Sequence, residues 1–568
     1  MFTVVGSGPG AAAAEETLAD RVPELHTDIE TVDNATVAVV VGPTGHDRFE
    51  RANRLALAGG TTWLAVELGG VGGYPAAVAA VTAFTPDGGC YDCLRTRVRA
   101  NRETNQTDHE SGPTEGGDVD PATARLAGTV AGREAVGHLD GMDISGRVIV
   151  TPHTEHSFLP VPGCDCGSPT TGLVPRTHTD RSVEASLERA ERALDELVGP
   201  VHELGEAESF PVPYYLAQLP DTAGFSDVTA AQNAAGVDPD WNRAFMKALG
   251  EALERYCAGV YRTAQFEHGT PDTVSGAVDP AAFVCRTQPN GETIRWVPGT
   301  DLAGDESVSL PATFVLHPPP ERRYRPAVTT GLGFGNSGVG ALLSGLYEVI
   351  ERDAAMLAWY SSFEPLGLTA GTERVETMRS RAASEELDVT LLLLTMDVDV
   401  PVVAAAVHRE EWPRFAAGTA ANLDAGAAAE SALAEALQNW MELRGMGPER
   451  AANASGAIGT YADLPDRART FLDTTVTIAA EDVSTPVSGG QEELDTLLDR
   501  LTTVGLDAYA VRITTRDVDL LGFEAVRVLV PAAQPLAFDD LFFGERAKSV
   551  PSLLGFEPRL DREHHPSP

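Results

Sequence analysis

At 568 residues the chain is too long for one hydrophobic core, and a prior of about one domain per 150 residues predicts two to four domains. Its 83 acidic and 42 basic residues give a formal charge of −41, which argues against nucleic acids and anionic membranes as partners. No apolar run reaches the roughly 18 residues that span a bilayer, and the N-terminus has no basic region. We therefore expect a cytoplasmic protein.

Lysine is nearly absent, since only Lys247 and Lys548 occur and arginine supplies the other basic side chains. The acidic residues are spread along the chain and form no single dominant block. At molar salt the Debye length is about 3 Å, so such a surface repels itself little. This composition resembles that of proteins from halophilic archaea.

The first part of the chain alternates strand and helix patterns. Buried strands are predicted at 2–5, 36–42 and 62–67, and a helix at 48–57, which indicates a Rossmann-like α/β domain with a parallel sheet. The glycine-rich turn at 6–10 suits either a tight strand-to-helix connection or nucleotide binding.

Two cysteine pairs follow on glycine-rich segments. A CxxC pair and a CxC pair in a reducing compartment suit a tetrahedral Zn²⁺ site, because thiolates prefer a soft cation. A disulfide, a redox pair and unrelated cysteines are the alternatives. The four residues are Cys90, Cys93, Cys164 and Cys166.

The order of strands and helices, the segment 49–54 and the CxxC pair together resemble a ThiF-like domain, related to ubiquitin-activating enzymes, as found in peptide cyclodehydratases. The resemblance implies a partner domain over residues 1–180 with structural zinc on the four cysteines. Members commonly carry a winged-helix segment ahead of this domain that binds the leader of a precursor peptide. Because this chain starts almost at the first strand, we expect leader recognition by a separate protein.

The second part contains a duplicated helical motif. Gly250-Glu251-Ala252-Leu253-Glu254-Arg255-Tyr256 is followed, 97 residues later, by the matching Tyr347-Glu348-Val349-Ile350-Glu351-Arg352. Glutamates at i and i+3 share one helix face and repel each other, so a duplicated pair favours four carboxylates that converge on divalent cations. A solvent-exposed face with local salt bridges is the alternative for a single copy.

A helix is predicted at 179–197, one at 241–261 and one at 427–444, with a buried strand at 525–530. A glycine-rich turn at 329–337 precedes the second glutamate helix. On these motifs and their order, residues 181–568 resemble the YcaO superfamily, a domain of two α+β halves around an ATP cleft. The expected cofactors are thus ATP and Mg²⁺, with Zn²⁺ in the first domain.

The resemblance assigns roles to individual residues. Arg352 and the tail residues Pro566 and Pro568 are implied to be catalytic, because ring-forming members end in P-x-P-x-P. The implied ATP and Mg²⁺ ligands are Glu251, Glu254, Arg255, Asn336, Glu348, Glu351 and Ser186. Glu435 and Gln438 face either the cleft or solvent. Three positions depart from the family pattern, namely Ala235, Lys247 and Gly340.

The resulting hypothesis is an ATP-dependent cyclodehydratase that forms thiazoline or oxazoline in a ribosomally made peptide. The alternatives are a thioamide-forming enzyme with the same fold and, because of the three departures, a non-catalytic scaffold that binds ATP or peptide. The expected partners are a precursor peptide, a flavin dehydrogenase, a leader-binding protein and a second copy of the chain in a homodimer.

Overall fold

The computed structural model of the chain describes most of its residues. The described ranges are 1–19, 21, 25–105, 119–167, 172–321, 323–453, 458–537 and 540–566. Within these ranges no helix is both long and apolar enough to cross a bilayer.

The N-terminal region is a seven-stranded mixed sheet in the order β2-β1-β3-β4-β5-β6-β7. The first four strands in this order are parallel, as the alternating pattern predicts, and the last three are antiparallel. The strands are β1 Phe2–Val5, β2 Leu25–His26, β3 Val37–Pro43, β4 Thr62–Leu68, β5 Ala79–Phe84, β6 Arg147–Val150 and β7 Thr154–Ser157. The helices are α1 Pro9–Ala19, α2 Asp47–Gly59, α3 Tyr91–Asn105 and α4 Pro121–Leu139.

The glycine-rich turn after β1 places α1 directly against α4. A side chain at Gly128 would put its Cβ only 2.0 Å from the carbonyl oxygen of Gly10, so both positions need glycine for the two helices to touch. The turn is therefore explained by close helix packing.

The remaining residues form three further sheets. A three-stranded antiparallel sheet has the order β10-β9-β8, with β8 Glu203–Glu208, β9 Tyr214–Gln218 and β10 Asn233–Val237. A second sheet has the order β11-β12-β20-β21-β14, with β13 on β12: β11 Glu267–Gly269, β12 Ile294–Asp301, β13 Ser307–Pro311, β14 Leu332–Gly335, β20 Tyr509–Arg512 and β21 Glu524–Leu529. A third has the order β18-β17-β16-β15-β19: β15 Leu366–Thr369, β16 Asp388–Leu393, β17 Val402–His408, β18 Phe415–Ala421 and β19 Thr477–Ala479.

Thirteen further helices are described after the first four. They are α5 Val183–Ala190, α6 Trp241–Gly259, α7 Ala312–Val315, α8 Gly338–Trp359, α9 Glu373–Ser384, α10 Ala425–Met446, α11 Pro448–Ala451, α12 Ile458–Tyr461, α13 Asp466–Leu472, α14 Ala480–Val483, α15 Gly490–Thr503, α16 Arg516–Leu520 and α17 Arg546–Leu553. Short 3₁₀ turns are Ile29–Asn34, Glu191–Ala193, Thr263–Gln265 and Pro280–Ala282. The helix predicted at 179–197 is shorter than expected, because regular α-helix ends at Ala190.

Three strand–helix units repeat one packing arrangement. A glycine in each strand lets the backbone lie against the helix: a Cβ on Gly236, Gly333 or Gly418 would lie 2.1, 2.2 or 2.6 Å from a backbone atom of α6, α8 or α10. Any side chain at these positions would push the strand away from its helix. The three long helices are therefore held at similar depth against their sheets.

A buried ionic contact joins the N-terminal sheet region to the rest of the chain. The Arg97 guanidinium on α3 pairs with Asp517 on α16, and both side chains are fully buried. The hydroxyl of Tyr256 on α6 donates to Asp517 at 2.8 Å and accepts from Arg97 at 3.1 Å. Arg97 also donates to the carbonyl oxygens of Leu159 and Pro160. One hydrogen-bonded cluster thus ties α3, α6 and α16 together.

We expect Asp517→Ala to lower the free energy of unfolding by about 3–5 kcal/mol, because it leaves the Arg97 charge buried without its partner. Chemical denaturation would measure the change. The matched control is Asp140→Ala, which removes an ion pair with Arg21 at 3.0 Å whose side chains are 55% and 56% exposed. Such a pair contributes at most about 1 kcal/mol. Equal losses in the two variants would contradict the structural role of the buried cluster.

Candidate nucleotide and divalent-cation site

The first glutamate pair lies on α6, which begins at the Asp240 cap. The backbone N–H of Ala235 on β10 donates to Glu251 at 2.8 Å, and Arg255 contacts the same carboxylate at 2.5 Å. Burial raises the pKa of Glu251 although Arg255 opposes the shift, and burial raises that of Glu254 well above its usual range. Both carboxyl groups therefore disfavour the ionised form until a cation binds beside them.

The second pair lies on α8 in the same arrangement. Glu348 accepts a hydrogen bond from the N–H of Gly331 at 2.8 Å, and Glu351 accepts from the Thr419 hydroxyl at 2.5 Å. The Arg352 guanidinium lies 3.6 Å from Glu351 and 3.8 Å from Glu348. Burial raises the pKa of Glu351 to about 8, against the opposing charge of Arg352.

A third helix repeats the arrangement. Glu435 on α10 accepts a hydrogen bond from the N–H of Thr419 at 2.7 Å. In each of the three helices, one glutamate thus accepts the N–H of a residue that is 16 or 17 positions earlier in sequence, on or next to the preceding strand. Burial raises the pKa of Glu435, and Arg352 opposes that shift. In sequence, Ala434-Glu435-Ala436-Leu437-Gln438 matches the first motif, with glutamine at the i+3 position. That match could have identified α10 as a third copy.

The five carboxylates face one another across the three helices. Glu348 raises the pKa of Glu251, Glu254, Glu351 and Glu435 through its charge, after the larger effect of burial in each case. Groups on separate helices interact in this way only when they are close together. The structure therefore brings together all four predicted glutamates and adds Glu435.

A cleft of about 380 Å³ opens beside α6, where Glu251 and Glu254 form part of its wall together with Asn336. The Asn336 side-chain oxygen accepts hydrogen bonds from the Ser186 hydroxyl at 3.1 Å and from Arg189 at 2.6 Å. The guanidinium of Arg189 also stacks 4.4 Å above the Phe523 ring. Ser186 thus contacts Asn336, and Arg189, which the sequence analysis missed, contacts two residues of the cleft wall, Asn336 and Phe523.

The positions that depart from the family pattern have local partners. Lys247 pairs with Asp238 at 2.9 Å, and Asp238 also pairs with Arg374. Ala235 contributes its backbone N–H to Glu251. The N–H of Gly340 donates to the Ser337 hydroxyl at 3.3 Å, and Ser337 thereby caps the start of α8.

The C-terminal segment packs beside the carboxylates. His565 and Pro566 share a small apolar cavity with Trp359 and Thr419, and Thr419 is the residue that bonds to both Glu351 and Glu435. Backbone oxygens of the tail are held by Trp359, which donates to Glu563 at 3.0 Å, and by the Tyr461 hydroxyl. Pro568 lies outside the described residues.

The four cysteines converge on one point. Their sulfur atoms all lie within 4.8 Å of one another. The Cys90–Cys164 and Cys93–Cys166 separations are 3.7 and 3.5 Å, close to the roughly 3.8 Å between thiolates bound tetrahedrally at 2.3 Å from zinc. The N–H of Val161 donates to Cys93 at 3.3 Å and Arg516 to Cys166 at 3.5 Å, both of which favour thiolate charge.

The donor sets indicate the chemistry of each site. Carboxylate oxygens suit a hard cation such as Mg²⁺, and four sulfurs suit a soft one such as Zn²⁺. Arginine and asparagine beside the carboxylates add hydrogen-bond donors for anionic oxygens. The α6 and α8 face can therefore hold a polyphosphate through divalent cations.

Comparison with solved structures supports a heterocyclase fold. A heterocyclase in complex with substrate and cofactor superimposes with a TM-score of 0.75 at 20% identity, over 98% of this chain and 83% of that one. The heterocyclase TruD superimposes with a TM-score of 0.66 at 18% identity, over 98% and 82% of the two chains. The chain therefore shares the fold of these two proteins, and its carboxylate site lies beside a cleft.

Residues 235–534 match the family described as YcaO cyclodehydratase, ATP- and Mg²⁺-binding. The chain belongs to the YcaO cyclodehydratase family. It is also 28% identical, over 332 aligned residues, to an uncharacterised protein of Methanothermobacter thermautotrophicus. The alignment covers 56% of this chain and 85% of the relative.

The raised pKa of Glu351 predicts how stability depends on pH in the absence of divalent cations. Its ordinary value is 4.5 and its folded value is about 8, so between these values the folded state holds a proton that the unfolded state has lost. The stabilisation that Glu351 contributes to the folded state is complete below its ordinary pKa of 4.5, and it is lost as the pH rises to about 8. We expect the free energy of unfolding to fall by up to about 1.4 kcal/mol per pH unit in this window.

Urea denaturation at a series of pH values would measure that slope. Glu351→Gln should flatten it, because the amide does not titrate, whereas Glu364→Gln, at an exposed glutamate outside the site, should leave it unchanged. An identical slope in wild type and Glu351→Gln would be inconsistent with the raised pKa.

Proposed function

We propose that the chain is an ATP-dependent peptide cyclodehydratase that forms thiazoline or oxazoline rings. The observation that carries the proposal is the convergence of Glu251, Glu254, Glu348 and Glu351 from two matched helices beside a cleft. These side chains, with Glu435, would hold Mg²⁺, which neutralises charge on the triphosphate.

The reaction uses the peptide's own nucleophile. A Cys, Ser or Thr side chain attacks the carbonyl carbon of the preceding amide, and the resulting oxyanion takes the γ-phosphoryl group of ATP. Loss of phosphate, with loss of the amide proton, closes the C=N bond of the azoline and leaves ADP. The net change is one ATP hydrolysed for each water removed from the peptide.

The chain's residues would position the phosphates and steady their charge. Arg352 lies close to both Glu348 and Glu351 and would contact a phosphoryl oxygen once cations occupy the carboxylates. Asn336, oriented by Ser186 and Arg189, offers its amide N–H groups to the cleft. Arg255 bonds to Glu251 and to the Asn233 carbonyl, which supports a positioning role.

The tail would complete the site from the other side. Pro566 lies against the apolar cavity that includes Thr419. Proline restricts the tail before it binds, so ordering it costs little entropy. We assign Pro566 and Pro568 to the reaction on this basis.

The N-terminal residues 1–180 are proposed to form the ThiF-like partner domain and residues 181–568 the YcaO domain. The four-cysteine cluster supports a structural Zn²⁺ in the first domain, because the sulfur separations fit tetrahedral coordination. The expected partners are a ribosomal precursor peptide, a flavin dehydrogenase, a leader-binding protein and a second copy of the chain. The acidic, lysine-poor composition supports a cytoplasmic protein of the halophilic archaeal type.

Glu254→Gln and Glu351→Gln should each lower peptide-dependent phosphate release at least about 100-fold, because each removes a charged oxygen ligand of Mg²⁺. The assay would use Mg²⁺, ATP and Cys-, Ser- and Thr-containing peptides at molar KCl. Mass spectrometry reports the product: loss of one water indicates an azoline, and replacement of oxygen by sulfur indicates a thioamide.

Glu364→Gln is the matched control and should retain full activity. Calorimetry should also detect binding of ATP in the presence of Mg²⁺. Wild-type protein that binds no ATP would refute the proposed function, and ATP binding without any change in peptide mass would support a scaffold.

The zinc content of cysteine variants tests the cysteine site separately. Wild-type protein should contain about one zinc ion per chain by elemental analysis, and Cys93→Ser should lose it because the hydroxyl is a poor ligand for a soft cation. Cys285→Ser, at a cysteine outside the cluster, should keep a full complement of zinc. Full zinc content in Cys93→Ser would show that the four cysteines do not hold the metal.

A further inference from the structure

A cavity of about 440 Å³ lies apart from the nucleotide cleft and has no role in the proposed chemistry. Its walls come from the end of α6, from β12 and from the segment that runs from β20 into α16. Most of the side chains around it are apolar, and they include Phe225, Val260, Phe266, Val297, Val511 and Ile513. Its size is within the range of ligand sites in proteins.

The cavity lies where one sheet opens between β12 and β20. These strands pair only at Thr300 with Ala510 and at Asp301 with Tyr509. β13 covers the other edge of β12, so β11 and β20 share the remaining edge. Residues 297–299 of β12 lie between those two neighbours, at the wall of the cavity.

Proline explains why the pairing stops. The N–H of Leu302 donates to the carbonyl oxygen of Ala508, and in this antiparallel register such hydrogen-bonded pairs recur at every second residue. The next pair after Thr300 with Ala510 would therefore be Pro298 with Arg512. Proline has no N–H, so it cannot donate to the Arg512 carbonyl. On the other edge Pro298 pairs with Ser309 without needing that N–H, which is why β12 tolerates it.

The backbone of β20 therefore has hydrogen-bonding groups that face the cavity. The N–H of Ile513 donates to Ala525 on β21, and alternate residues of a strand point to opposite neighbours. The N–H and C=O of Arg512 and Thr514 consequently point away from β21. Within the part of the chain that the structure describes, no backbone hydrogen bond joins either residue to β12.

The arginines around the cavity do not give it a strong charge preference. Arg262 pairs with Asp227 at 3.0 Å, and Arg512 pairs with Glu524 at 2.8 Å. Arg516 donates to Cys166. With the charges of Arg262 and Arg512 compensated, the apolar walls and the backbone edge of β20, which among the described residues has no ladder with β12 there, determine what binds.

We propose that this slot binds an extended, apolar segment of the peptide substrate as an added strand on β20. The inference rests on the proposed function, which supplies the peptide. Backbone hydrogen bonds to Arg512 and Thr514 would provide affinity, and alternate apolar side chains would fill the cavity. Because Cys257 lines the cavity and is three residues beyond Glu254 on α6, about 4.5 Å along the helix, one helix would contact both peptide and nucleotide.

The test uses a fluorescein-labelled heptapeptide of alternating leucine and glutamine, titrated with the full-length protein and followed by fluorescence anisotropy. Saturable binding is expected. An analogue methylated at every backbone nitrogen, and one with glutamine in place of each leucine, should each bind at least about tenfold more weakly. Hydrogen exchange should show slower exchange over 509–516 when the peptide is bound.

Gln265→Trp fills the mouth of the cavity from an exposed position, and should weaken peptide binding at least about tenfold. Gln491→Trp, on the exposed face of α15, is the matched control and should bind as wild type. Absence of saturable binding, equal binding of the methylated peptide, or unchanged binding by Gln265→Trp would each overturn the inference.

Two further measurements separate the possible failures. Calorimetry with ATP and Mg²⁺ on the same proteins reports the proposed function independently of this slot, so ATP binding without peptide binding refutes only the slot. Sedimentation with and without the peptide reports oligomeric state. Dissociation of a dimer by the peptide would assign the slot to a second copy of the chain and overturn the inference.

Discussion

The buried contact among Arg97, Asp517 and Tyr256 is the constraint on which the arrangement of the two sites depends. Arg97 lies one helical turn beyond Cys93, Asp517 follows the arginine that contacts Cys166, and Tyr256 is two residues after Glu254. All three side chains of the contact are fully buried. Ionic groups removed from water stabilise only one well-defined geometry, since any shift leaves a charge without compensation. The cysteine cluster and the glutamate helix are therefore fixed relative to each other.

The carboxylate site results from one local arrangement used three times. In each unit a strand glycine admits a helix at close range, and a helix glutamate accepts the N–H of a residue on or next to that strand. The hydrogen bond fixes the carboxylate while the close packing buries most of the side chain. Burial raises the pKa of Glu251 and of Glu435, so the cluster is electrically unfavourable until cations neutralise it. The same packing that stabilises the fold thus prepares the site for divalent cations.

Much of this was predictable from sequence where local patterns are strong. The helix at 241–261, the strand at 2–5 and the convergence of Glu251 with Glu348 follow from periodicity and from the duplicated motif. The sequence does not decide whether Glu435 faces the cleft or solvent, because its helix has glutamine at the second position and alanine around it. Arg189 lacked a signal altogether: its role comes from contacts with Asn336 and Phe523, which are distant in sequence.

The antiparallel strands of the first sheet illustrate a different limit. Strand β5 pairs with β4 through a direct connection with no intervening helix, whereas parallel neighbours require a crossover. The cysteine pairs could be matched by sequence spacing, yet their convergence depends on where α3 starts relative to the loop after β7. Such relations are set by tertiary packing, which local pattern does not encode.

Dissolved salt affects the exposed acidic residues of the chain and the buried acidic cluster differently. Exposed charges are screened within about 3 Å at molar salt, so the surface contributes little repulsion there. The five glutamates are partly or wholly shielded from solvent ions, and salt screens such groups much less. Among the described residues, only Arg352 and Arg255 are ion-paired to any of them. Monovalent salt therefore does not substitute for divalent cations at the cluster, because neutralising several converging carboxylates in a restricted volume needs concentrated positive charge. An acidic surface and a carboxylate cluster of the proposed kind are compatible in one chain for this reason.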